Sequence, residues 1–124
     1  MKVKYLFIFV LFETVLFTSC ISKDINETRK MSIQKVDITK LSDGNYFGEY
    51  SYGKTTYKVE VIIENKRIID IKVLQTRDSP YAKKAEGVIK SIVNEQRNDV
   101  DAVSGATTTS KALLKAIENA LLNN

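Results

Sequence analysis

The chain has 124 residues, 19 Lys and Arg against 15 Asp and Glu, and a formal net charge of +4; one domain is expected at this length, with little room for a second core. Histidine and tryptophan are absent and Cys20 is the single cysteine, which excludes histidine-based metal sites, triads with a histidine base, internal disulfides and CxxC pairs. The positive excess is spread thinly, so it does not argue for nucleic acid; it suits solubility, or mild attraction to an anionic partner or a membrane surface.

Lys2 and Lys4 precede an apolar run from Tyr5 to Phe12, interrupted by Glu13-Thr14, continued by Val15-Leu16-Phe17 and closed by Thr18-Ser19-Cys20. A charged start, a short apolar core and small residues describe an export signal, and the run is too short to span a bilayer. The stretch Leu16-Phe17-Thr18-Ser19-Cys20 resembles a bacterial lipoprotein signal, which implies removal of residues 1–19 and lipidation of Cys20. A buried structural cysteine is the alternative. The protein is therefore expected at the cell membrane, lipid-anchored on its extracytoplasmic face. Residues 20–41 are polar with scattered apolar positions and are expected to act as a flexible tether, with Lys35 to Thr39 a candidate short strand.

Residues 42–124 form the expected domain. After the turn signal Ser42-Asp43-Gly44, the residues Tyr46, Gly48, Tyr50 and Tyr52 alternate with Phe47, Glu49 and Ser51, as in a strand. Gly53-Lys54 is a turn. Tyr57, Val59, Val61 and Ile63 alternate with Lys58, Glu60, Ile62 and Glu64, the clearest strand pattern in the chain, and Asn65-Lys66 predicts a tight hairpin. Ile69, Ile71 and Val73 predict the inward face of a third strand, opposite Asp70 and Lys72. Gln75 to Pro80 reads as a loop in which Ser79 caps a helix with Pro80 at its first position. That helix has an apolar stripe at Ala85, Val88, Ile89, Ile92 and Val93, weakened slightly by Gly87. Asn94 to Asn98 is a polar break, Val100 to Val103 a candidate extended piece, and a last helix from about Thr108 to Leu122 turns Leu113, Ala116, Ile117, Ala120 and Leu121 to one face. The fold class expected is α+β, a small antiparallel β-meander with two helices packed on one side.

The stretch before the last helix, Asp101-Ala-Val-Ser104-Gly105-Ala106-Thr107-Thr108-Thr109-Ser110, concentrates small residues and hydroxyls where a helix begins. Helix-start amides lack intrahelical partners and favour a phosphate, and Gly105 lets a ligand approach the main chain. The plain alternative is that the hydroxyls cap the helix, and spacing alone does not decide between them. A P-loop is excluded, because no Gly-Lys-Ser/Thr is present.

The same residues, Asp101-Ala-Val-Ser-Gly-Ala-Thr107 followed by Thr108-Thr109-Ser110 and a helix, resemble the flavinylation motif of the FMN-binding domain family. That domain is found in subunits of Rnf and sodium-pumping NADH:quinone oxidoreductase complexes and in stand-alone lipoproteins. The resemblance extends over roughly residues 42–122, from the Gly44-x-Tyr46-x-Gly48 opening onward, and departs from the family in the loop from Gln75 to Tyr81. It implies FMN joined through its phosphate to the Thr107 hydroxyl by a separate flavin transferase, with Asp101 guiding recognition and Ser104, Gly105, Ala106 and Thr108 completing the cofactor site. It implies an electron carrier or redox subunit more than a self-standing enzyme, supplied with electrons by membrane redox proteins. The tyrosines at 46, 50, 52 and 57 are candidates for the wall beside the flavin ring. A second reading is a non-redox lipoprotein that binds a free anion or another ligand at this helix start. A hydrolase has no visible nucleophile–base pair, and no catalytic residue or metal ligand is assigned.

Overall fold

The computed structural model describes residues 25–123; the expected export signal and Cys20 lie outside the described residues. Residues 25–30 are helical (α1). Three strands come next, β1 (Gly44–Tyr52), β2 (Thr55–Glu64) and β3 (Arg67–Gln75), then three helices, α2 (Pro80–Ala85), α3 (Gly87–Glu95) and α4 (Thr107–Leu122). The sheet is antiparallel in the order β1-β2-β3, with α4 packed on β1 and β2, α3 beside β3, and α2 against α4 and α3. This is the α+β meander expected from the alternating pattern.

The alternation works as read in β1 and β2. Tyr57, Val59, Val61 and Ile63 are all buried beneath α4, joined there by Leu113, Ala116, Ile117, Ala120 and Leu121. Opposite them in register, Tyr46, Gly48 and Tyr50 share that face. Gly48 is required by the packing. A Cβ there would lie 2.2 Å from the Ala116 carbonyl oxygen and 2.3 Å from the Ala120 nitrogen, so the missing side chain is what lets the α4 backbone rest on β1. Beside this contact, Asn119 Nδ2 donates to the Glu49 carbonyl at 2.8 Å. The Asn65-Lys66 hairpin has both residues at positive φ, 53° and 63°, the conformation whose twist matches two-residue hairpins.

Three expectations need correction. In β3 the buried residues are Ile68 and Ile71, while Ile69 is 47% exposed. A register shift between Ile62 and Ile63 pairs them with Asp70 and Ile68; the bulge leaves Ile69 without an opposite residue and changes which face the neighbouring side chains take. The helix after Ser79 is two helices: Ser79 Oγ accepts from the Ala82 N–H at 3.1 Å as expected, but the run breaks at Glu86, beside Gly87. A Cβ on Gly87 would be 3.3 Å from Val103 Cγ2, so the chain approaching α4 passes directly over the break. Lys35 to Thr39 is not a strand, because Asp37 Oδ1 accepts from the Thr39 N–H (3.1 Å) and hydroxyl (2.6 Å) and turns Ile38–Lys40 into a 3-10 helix; such short-range bonds compete with extended pairing. Val100 to Val103 has no strand partner, and Val100 is buried.

Residues 25–41 also lie against the domain. Thr28 is buried and its hydroxyl is 2.9 Å from Tyr50 OH, and Ile38 belongs to the core. Buried Asn98 uses both ends of its amide: Oδ1 accepts from the Val36 N–H (2.8 Å) and Nδ2 donates to the Gln34 carbonyl (2.7 Å). Gln96, at the left-handed end of α3, binds both the N–H and the carbonyl of Ile68. The polar break between the helices thus fastens the N-terminal segment and β3.

Candidate functional site

Val103 to Ala106 forms a tight turn, with the Ala106 N–H donating to the Val103 carbonyl at 3.0 Å and Gly105 at φ +83°. A Cβ at Gly105 would lie 2.9 Å from Lys84 Nζ; the ammonium group stands against the bare main chain of the turn. The cap position of α4 is Ala106, which has no side chain able to accept a hydrogen bond, and no side chain caps the helix. The first-turn amides therefore lack helical partners and face the positive end of the helix dipole outward.

The hydroxyls divide into two groups. Ser110 is buried and its Oγ accepts from the Val103 N–H at 3.1 Å, tying the turn back onto the helix. Thr109 is buried close to the Tyr57 phenol. Thr107 and Thr108 are half-buried and, with Gly105, Ala106 and Thr109, form one wall of a cleft of about 410 Å³. The capping alternative is thereby answered: none of these hydroxyls caps α4.

The other walls come from distant parts of the sequence. Tyr52 and Tyr81 supply aromatic surface, Arg29 and Arg77 supply charge, and Ile25 and Ser79 complete the lining. Tyr52 stacks on Tyr57, centroids 5.7 Å apart and rings 13° from parallel, with their hydroxyls 3.2 Å apart. Burial is the main cause that pushes the Tyr57 phenol well above its ordinary range, with the Tyr52 hydrogen bond adding to it and Arg77 opposing it. Tyr57 stays neutral. Among the described residues, no carboxylate lines the cleft.

Of the residues singled out in the sequence, Gly105, Ala106, Thr107 and Thr108 are brought together at the cleft, while Asp101 and Ser104 are exposed and lie outside its walls. Of the candidate tyrosines, Tyr52 lines the cleft and Tyr57 backs it. Tyr46 instead donates to the Ser42 carbonyl, and Tyr50 engages Thr28. Arg29, Arg77, Tyr81 and Lys84 were not foreseen. Arg77 and Tyr81 had a signal, in the loop that leads from β3 into a capped helix; Arg29 had none, since only tertiary packing brings α1 here.

The FMN-binding domain family model matches residues 52–122, more than half of the chain and all of α2 to α4. The chain belongs to the FMN-binding domain family. It is also 35% identical over 96 residues to an uncharacterized protein of Treponema pallidum (strain Nichols), a match covering 76% of this chain and 27% of that protein; the chain spans about a quarter of the length of that curated relative. FMN is therefore the cofactor to test against the site, and the residues fit it. Uncapped amides, Gly105 and Lys84 suit a phosphate, the tyrosines suit an aromatic ring system, and the volume lies within the range of small-molecule sites, about 300–1,000 Å³.

Proposed function

We propose that this protein is a membrane-anchored, extracytoplasmic flavoprotein that carries electrons through an FMN joined covalently, by its phosphate, to the Thr107 hydroxyl. The observation that carries this reading is the position of Thr107: it opens α4, follows a positive-φ glycine by two residues, and borders the cleft at a helix start that no side chain caps. A phosphodiester there keeps one negative charge, which the free amides and Lys84 offset. When bound, the flavin supplies the redox chemistry, while the protein supplies placement and tuning. On this reading Thr108, which lines the cleft, donates to the phosphate. The small Ala106 leaves the attachment point accessible to a flavin transferase, and exposed Asp101 and Ser104 are placed for recognition by it.

The lipoprotein-like N-terminus supports location outside the cytoplasm, where a tethered cofactor does not depend on binding equilibrium. On this reading Cys20 is the lipidated residue, and Ile25, at the edge of the cleft, lies five positions further on. Five residues span at most about 18 Å, so the anchor holds the cleft close to the membrane surface, within reach of membrane redox proteins as electron donors. The test is flavin loading after co-expression with the transferase, read as fluorescence in a denaturing gel. Thr107→Ala is expected to abolish the signal and Thr108→Ala to retain it. Equal loading of Thr107→Ala and the unaltered chain would refute attachment at this residue.

A further inference from the structure

We infer that Arg29 and Arg77 form an electropositive wall that stabilises the negative charge of the reduced flavin ring, so that this cleft favours the anionic reduced form. The inference rests on the FMN reading of the cleft and goes beyond it by assigning the ring's electrostatic partner to two side chains. One of them lies outside the segment that matches the family: Arg29 belongs to α1, whereas the match begins at residue 52. α1 is held in place by the Thr28–Tyr50 hydrogen bond (2.9 Å) with Thr28 buried. This chain therefore adds a charged wall to the family domain.

Three observations converge. Both arginines line the cleft, together with Tyr52 and Tyr81. Neither is engaged in an ion pair among the described residues; the pairs there join Lys58 to Glu49, Arg97 to Glu95 and Asp99, and Lys115 to Glu118. The phosphate end already has its own cation, Lys84 at Gly105. Two arginines, charged at every accessible pH, thus line a cleft that has no carboxylate among its described residues. Two-electron reduction of the oxidised ring by a reduced redox protein, with one proton taken up at N5, leaves one added negative charge in the pyrimidine half of the ring. Cations beside the ring stabilise that product and not the neutral oxidised ring, so they raise its tendency to accept electrons.

Sulfite reports the same charge without turnover. It adds its lone pair to N5 of the oxidised ring, forming one N–S bond and leaving the negative charge in the pyrimidine half; the ring absorbance bleaches. The full chain is co-expressed with its transferase as wild type, R29Q, R77Q, the double variant and K30Q, whose lysine shares α1 but does not line the cleft. Flavin content is measured first, then sulfite affinity. Each arginine variant is expected to bind sulfite roughly tenfold more weakly, the size of a unit charge screened near a protein surface, with the double variant weaker still and K30Q within about twofold of wild type. Unchanged sulfite affinity in R29Q and R77Q overturns the proposal. So does loss of flavin retention with unchanged affinity, which would assign the arginines to the phosphate. If the wild type carries no covalent flavin, attachment at Thr107 has failed on its own; the same comparison with added FMN then decides the arginine wall by the same criterion.

Discussion

Replacing Gly48 by alanine tests the contact on which the position of the site depends. α4 carries Thr107 at its start, and its seat on β1 is the bare main chain of Gly48. The added Cβ would meet the Ala116 carbonyl oxygen at 2.2 Å, the Ala120 nitrogen at 2.3 Å and the Ala120 Cα at 2.7 Å. Ordinary contact begins near 3.5 Å, so the helix must retreat by roughly 1.3 Å. All three obstacles are backbone atoms, which no rotamer change removes. The cost belongs at the upper end of overpacking, about 3 kcal/mol, or a fall in Tm of about 12–24 °C for a domain of this size. Thermal unfolding by circular dichroism reads this directly. Gly53→Ala is the control: nothing lies within 4 Å of its added Cβ, and only its φ of +56° is strained, a cost of about 1 kcal/mol. A Gly48→Ala protein that melts within about 4 °C of wild type would refute the seating of α4 on β1.

Gly105→Ala is expected to cost about 1–2 kcal/mol from its left-handed backbone and to lower flavin loading, because the methyl group displaces Lys84 from the turn; denaturing-gel fluorescence at matched protein levels checks it, and full loading would contradict the role given to the turn. Asn98→Ala removes the part-buried hydrogen bonds to the Val36 N–H and the Gln34 carbonyl, about 0.5–1.5 kcal/mol each. Hydrogen exchange should accelerate across residues 34–38 while flavin loading persists, and unchanged exchange would count against the link. Alkaline pH should destabilise the fold through Tyr57. The unfolded phenol ionises near its ordinary value of 10.0 while the folded one stays protonated well above it; the unfolded state then binds fewer protons, and stability falls as pH rises beyond about 10. Denaturant melts of wild type and Tyr57→Phe across that window should show a shallower decline in the variant, and identical slopes would remove Tyr57 as the cause.

The legible parts of the sequence were those governed by local periodicity and turn chemistry. Tyr57 to Ile63 and Leu113 to Leu121 each carry one clean repeat, and both are core. Reading failed where a single backbone irregularity changes a face: the bulge at Ile62/Ile63 buries Ile68 and exposes Ile69, although both are isoleucine and either fits the pattern. It failed again at Glu86, where the break in the helix depends on Val103 crossing over Gly87. At the site, the turn and Thr107 were visible because a glycine, an alanine and a run of hydroxyls precede an amphipathic helix. Tyr52 was among the tyrosines marked for the wall, whereas Arg29 was not visible, because it reaches the cleft only through the packing of α1. The polar stretch from 25 to 41 was misleading in its composition: Thr28 and Ile38 are buried, and Asn98 holds the backbone of Gln34 and Val36.

The central claim is a covalent bond at one atom, and peptide mapping tests it most directly. Trypsin cleaves after Arg97 and Lys111, releasing residues 98–111 with the whole motif on one peptide. After co-expression with the transferase and denaturation, that peptide should be heavier by one FMN less one water, and fragmentation should place the addition on Thr107. An unmodified peptide from a yellow protein, or an addition on Thr108 or Ser104, would contradict the account.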